Sequence, residues 1–225
     1  MSNFDSDGSP DNDWDERGEL AWNEFDWEKY LREQEEAIGR YLRHYDACRH
    51  STDRIDEVAD KMGWSVETED DDDAAGDDES GEGADFSDEG DVYTLHKNPI
   101  FISTKAIYLS LRHSWEKVAA DGGKVPQPLA LALLSSLHRG EEQAMQAIYA
   151  LDFGDYAMAV SLFKRALSGL NGSLALLNSD SVARQRAVLA WREDALPRLF
   201  DLREVWLRVI AECRDELERP VDGES

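Results

Sequence analysis

Between residues 67 and 91 the chain carries fourteen acidic side chains and neither a Lys nor an Arg. Apart from Thr68 and Phe86 the stretch is built from Asp, Glu, Gly, Ala and Ser. Such a segment has too little apolar surface to bury against the entropy cost of ordering its backbone, and it has no periodicity to read. Any folded unit must therefore be assembled from what lies on either side. We read residues 64–96 as a disordered acidic linker. A flexible chain of that length reaches on the order of 30 Å, and self-repulsion lengthens it. The preceding part can fold back onto the following part or dock on a second copy, so a homodimer is compatible with the sequence.

A second acidic tract opens the chain. Residues 1–28 hold ten acids against one base, Arg17. The two tracts carry −9 and −14 of a net charge of −25, so the remainder is nearly neutral. A salt-adapted protein spreads acids over its folded surface, whereas these are segregated into an arm, residues 1–22, and a linker. The balance disfavours nucleic acid as a partner, because a phosphate backbone demands a basic stripe. A protein partner with a basic surface fits better.

The first residues contain no charged and apolar leader pattern, and the longest mostly apolar run, "PLALALLSSLH", is too short to span a bilayer. The expectation is a cytoplasmic protein without membrane contact. Cys48 and Cys213 form no CxxC pair and fall on apolar helix faces, which is the pattern of two buried thiols and not of a zinc site.

Outside the acidic tracts, apolar residues recur at steps of three and four. Trp27, Leu31, Ile38, Leu42, Tyr45, Cys48, Ile55, Ala59 and Met62 outline one long amphipathic helix over 23–63, with gaps at Gln34 and Thr52 and a glycine stop at Gly63. Ile100, Thr104, Ile107, Leu111, Trp115 and Val118 define a second helix capped by Asn98, with Pro99 at its first position. A third runs from about 128 to 151. A fourth begins at Asp155 and is expected to stop at Asn171 and Gly172. The last spans about 179–217, where Pro197 should bend or divide it. No useful alternating stretch appears beyond "WSVET" and "DVYTL". The fold class is all-α, a five- or six-helix bundle with coiled-coil-like spacing: residues 23–63 and 97–218, followed by a tail at 219–225.

The stretch "GDYAMAVSLFKRAL", residues 154–167, resembles the second half of a tetratricopeptide repeat. Gly154, Asp155, Tyr156, Ala159, Phe163 and Ala166 match the pattern in which glycine turns the chain and alanines let helices approach. The resemblance implies a helical hairpin. Ala150 stands where the preceding helix of that repeat has an aromatic, Asn171 replaces the closing proline, and no second copy follows at a period of about 34 residues. No family is recognised over the whole chain.

Three pairs carry metal-ligand residue types three positions apart: His50 and Asp53, His113 and Glu116, His138 and Glu141. Di-iron carboxylate bundles use Glu-x-x-His twice, an order absent here. His113 lies off the apolar stripe, which leaves His138 and Glu141 as the one pair able to share a face with Leu134 and Met145. A ferritin-like metal-binding oxidoreductase is thus the alternative function. Residues 71–82 partly follow a calcium loop, but Ala75 removes a ligand and Asp78 replaces the apolar residue. No nucleophile elbow or phosphate-binding loop occurs, so no catalytic residue, cofactor or metal ligand is assigned.

"ELAWNEFDWEKYL" sets aromatics among acids at the junction of arm and first helix. Trp22, Phe25 and Trp27 are the candidate partner-binding residues, large anchors surrounded by charges that steer a basic partner. The function expected is a non-enzymatic cytoplasmic interaction module, a helical scaffold or adaptor.

Overall fold

The computed structural model describes residues 22–64 and 95–219. Six α-helices occur there: α1 Glu24–Ala47, α2 Arg54–Met62, α3 Pro99–Ala119, α4 Gln127–Asp152, α5 Tyr156–Leu177 and α6 Arg186–Glu218. A short 3₁₀ turn, Leu95–Lys97, precedes α3, and no strand is present among the described residues. The fold is the all-α bundle that the spacing indicates. Most of the arm, nearly all of the linker, the calcium-like stretch at 71–82 and the tail beyond 219 lie outside the described residues. None of the described helices is long and apolar enough to cross a membrane.

Helix α3 is the hub. It packs on α1, α4 and α6, and Phe101, Ile102, Ala106, Ile107, Tyr108, Leu111 and Trp115 are all buried along it. Each large apolar side chain removed from water contributes roughly 1.5–3 kcal/mol, so this one helix carries much of the core. Asn98 accepts from the amides of Ile100 (2.9 Å) and Phe101 (3.0 Å), and Pro99 follows at the first helical position, where its missing N–H costs nothing. The buried tryptophans of α3 and α6 each find an acceptor: Trp115 donates to the Ala130 carbonyl, Trp191 to Ser114 and Trp206 to Thr104.

Helices α4 and α5 form the tightest pair, joined through Phe153, Gly154 and Asp155. Gly154 adopts φ +73°, the left-handed turn that glycine enters without a Cβ clash, and Asp155 caps α5 by accepting from the Met158 amide at 2.9 Å. Farther along, Gly140 and Gly169 bring the two backbones together. A Cβ added at Gly169 would lie 3.3 Å from the Gly140 Cα, and one added at Gly140 would lie 2.5 Å from the Tyr108 hydroxyl.

Three boundaries differ from the sequence reading. The single helix expected over 23–63 is two helices, because the "HSTD" stretch satisfies its own backbone. Ser51 Oγ accepts from the Asp53 amide and donates to Glu57, while the Ser51 amide returns to the Cys48 carbonyl. Helix α5 does not stop at Asn171 and Gly172 but runs to Leu177. Leu170, Ser173 and Leu177 face the interior there, and the Ser173 hydroxyl bonds Ser136 of α4 at 2.8 Å, so packing overrides the local stop signal. Helix α6 begins at Arg186, after turns in which Ser179 bonds the Leu176 carbonyl, and it continues through Pro197 undivided. Pro197 and Glu193 are both exposed, so the Glu193 carbonyl that loses its helical donor faces solvent.

Candidate interaction surface

Helix α1 starts with a reciprocal cap. Asn23 Oδ1 accepts from the amides of Phe25 (2.8 Å) and Asp26 (3.3 Å), and Asp26 Oδ2 accepts from the Asn23 amide at 3.0 Å. This capping box sets the register of everything near it. Trp22 falls just before the cap and Trp27 at the fourth helical position, the two places whose apolar side chains staple a helix entry. The rings meet edge-on with centroids 5.0 Å apart, and Tyr30 completes the cluster at 5.5 Å from Trp22 and 5.9 Å from Trp27.

The three candidate anchors thus separate into two roles. Trp22 and Trp27 are joined in the ring cluster over Tyr30, which is buried. Phe25 stands apart, two positions from Trp27 and hence on a different face, and its side chain is 76% exposed. It lines a shallow groove of about 390 Å³ with Glu28, Lys29, Arg32, Glu33 and Glu36. Arg32 pairs with Glu28 at 3.2 Å and Lys29 with Glu33 at 3.7 Å, exposed pairs that water and salt screen. Leu31, half exposed, adds apolar surface one turn beyond Trp27.

The histidine–carboxylate pairs do not assemble. His113 and Glu116 are exposed, as are His50 and Asp53. His138 points to solvent while Glu141, three residues on, is buried and held by Lys105 at 3.0 Å and Arg112 at 3.3 Å. The one pair that the spacing singled out is therefore split between the surface and an internal ion cluster. Among the described residues no group of three or more His, Cys, Asp or Glu side chains is arranged to hold a metal ion.

One polar cluster was not singled out by sequence reasoning. Arg54 of α2 reaches Asp201 of α6, lies over the Tyr45 ring with its guanidinium carbon 4.8 Å from the centroid, and donates to the Arg49 carbonyl at 3.0 Å. The Tyr45 hydroxyl donates a short hydrogen bond to the same carboxylate. Burial, reinforced by Asp201, pushes the Tyr45 and Tyr41 phenols far above their ordinary value, and burial does the same to Tyr108. Burial works against the charge on Arg54, but Tyr45 and Asp201 outweigh it and the guanidinium is raised. At the rim, the hydrogen bond from Arg208 holds Asp56 below the usual carboxylate range. The available signal was phase: Arg54 precedes Val58 and Met62 at steps of four, on the buried side of α2.

Comparison of the chain with protein-family models, with curated proteins and with solved structures finds no match.

Proposed function

We propose that the protein is a non-enzymatic interaction module, a helical adaptor that engages a protein partner through the start of α1. The observation that carries this reading is Phe25: a large aromatic side chain, three-quarters exposed, on a capped helix end, beside a groove that holds Glu28, Glu33 and Glu36 against Lys29 and Arg32. Exposed aromatics on an ordered helix end lower the ordering cost of association, and acids around them favour a basic surface. The net charge of −9 over residues 1–28 supports the same partner chemistry. In this reading the Trp22–Trp27–Tyr30 cluster presents the helix end, Phe25 supplies the contact, and the α4–α5 hairpin, with its half-repeat resemblance, belongs to the scaffold.

The test compares affinity capture by the full-length protein with capture by Phe25→Ala, read by quantitative mass spectrometry. A defined set of basic proteins enriched by the natural sequence and lost with Phe25→Ala is expected. Identical capture by both would reject the surface. Elemental analysis of the tag-free protein checks the ferritin-like alternative, since stoichiometric iron or manganese lost in His138→Ala would replace the adaptor reading.

A further inference from the structure

Cys48 caps the end of α1, and Lys61 lies in the last turn of α2. The hairpin between them folds so that Lys61 Nζ points at Cys48 Sγ across 3.0 Å. A carboxylate completes the group. Glu57 sits 3.8 Å from Lys61, accepts from Ser51 at 2.6 Å, and is held below the ordinary range by Ser51 first and by the Cys48 thiol next. A nucleophile, an amine and a base thus share one corner of the molecule, apart from the aromatic surface of α1. Cys48 is 5% exposed, but the Lys61 side chain above it is 46% exposed, so a small oxidant can come alongside where a bulky reagent cannot.

We infer that Cys48 and Lys61 are a peroxide-dependent modification site that closes into a covalent sulfur–nitrogen bridge between α1 and α2. In the first step the sulfur attacks one oxygen of a hydroperoxide, such as hydrogen peroxide, and the O–O bond breaks. Sulfur is oxidised by two electrons to the sulfenic acid and the peroxide is reduced. Glu57 takes the thiol proton, and the Lys61 ammonium gives its proton to the departing hydroxide, which leaves as water. The same transfer turns Lys61 into a free amine already at contact distance. In the second step its lone pair attacks sulfur, the S–O bond breaks, and the hydroxyl leaves as a second water with the proton carried on Glu57. The amine's remaining excess proton goes to solvent. The product is a sulfenamide, in which neither peroxide oxygen is retained.

Cys213 is the internal control. It too is buried, burial pushes its thiol up, and no amine is among its described partners. It should resist the oxidant.

The experiment treats the full-length protein with hydrogen peroxide and maps it by tryptic mass spectrometry. Expected is a cross-linked species joining peptide 44–49 to the one that starts at Ile55, lighter by two hydrogens than the two together, uncut after Lys61, and released by a thiol reductant. Cys48→Ser abolishes it. Lys61→Arg keeps the positive charge but removes the amine, so oxidation should halt at the sulfenic acid, which dimedone, added together with a urea quench that unfolds the chain, then labels at Cys48. Circular dichroism establishes that both variants fold, and if Lys61→Arg does not, Lys61→Gln takes its place with the same expected labelling. Cys48 left unmodified, Cys48 carried to sulfinic acid with Lys61 free, or a bridge that retains oxygen would each overturn the inference.

Discussion

Arg54 on α2 and Asp201 on α6, 147 residues apart in sequence, form a buried ion pair in which Nε at 2.7 Å and Nη2 at 2.5 Å converge on one carboxylate oxygen. Their side chains are 8% and 15% exposed, so water can replace only a small part of what either charge loses with its partner. Asp201→Ala should destabilise the protein by about 3–5 kcal/mol, because the guanidinium stays buried without its counter-ion. Replacing both partners, Arg54→Met with Asp201→Leu, should recover a large part of that loss. Urea denaturation of the two single variants and the double variant gives the coupling directly. A loss below about 1 kcal/mol for Asp201→Ala would mean that this pair adds little to what holds α2 against α6, where Asp56 and Arg208 also pair.

Gly140 is required for a different reason. Alanine there gains about 1 kcal/mol of helix propensity, yet its methyl would sit 2.5 Å from the Tyr108 hydroxyl. Tyr108 is 1% exposed and stacks on Trp206 at 6.1 Å, so the ring has nowhere to swing. Overpacking typically costs about 1–3 kcal/mol, and the net expectation is a lowered melting temperature. Pairing Gly140→Ala with Tyr108→Phe should restore part of the loss, and differential scanning calorimetry reads both.

At alkaline pH the buried phenols control stability. Tyr41, Tyr45 and Tyr108 all have folded-state values raised above the ordinary 10.0, so the fold favours their protonated forms. Their contribution is complete below about pH 10 and is lost as pH climbs beyond it, since the unfolded chain releases those protons first. Melting temperature should fall steeply above about pH 10, with tyrosinate absorbance from these residues appearing only on unfolding. Tyr45→Phe should be less stable at neutral pH, having lost its bond to Asp201, but should show a shallower alkaline decline. A melting temperature independent of pH up to about 11 would contradict the assignment.

Trp22 and Phe25 should behave oppositely. Trp22→Ala removes the ring that staples the helix entry and is expected to lower stability by about 1 kcal/mol. Phe25→Ala removes an exposed side chain and should change stability by less than about 0.5 kcal/mol while weakening partner capture. Thermal melts and capture experiments on the same two variants separate the roles.

Much of the bundle is legible in the sequence because its signals are local. Asn98 and Pro99 announce the start of α3, Gly63 and Gly154 announce left-handed turns, and the steps of three and four mark Ile107, Leu111 and Trp115 as interior. The candidate surface was legible as a set of aromatics but not as an arrangement. Which ring packs and which stands out depends on the cap at Asn23, whose hydrogen bonds set the helical register by one residue.

Tertiary structure alone decided the rest, and the reason in each case is a contact between residues distant along the chain. Glu141 has a metal ligand's spacing from His138, but Lys105 and Arg112 of α3 claim its carboxylate. Gly172 carries a stop signal worth about 1 kcal/mol, which the packing of Leu170, Ser173 and Leu177 outweighs. Thr52 already interrupted the apolar spacing, yet the change of direction that it marks became a site only when α2 folded back and set Lys61 against Cys48 and Arg54 against Asp201. Periodicity specifies which side of a helix is buried, because that is a property of one helix; what a buried charge meets there is set by the helix across from it.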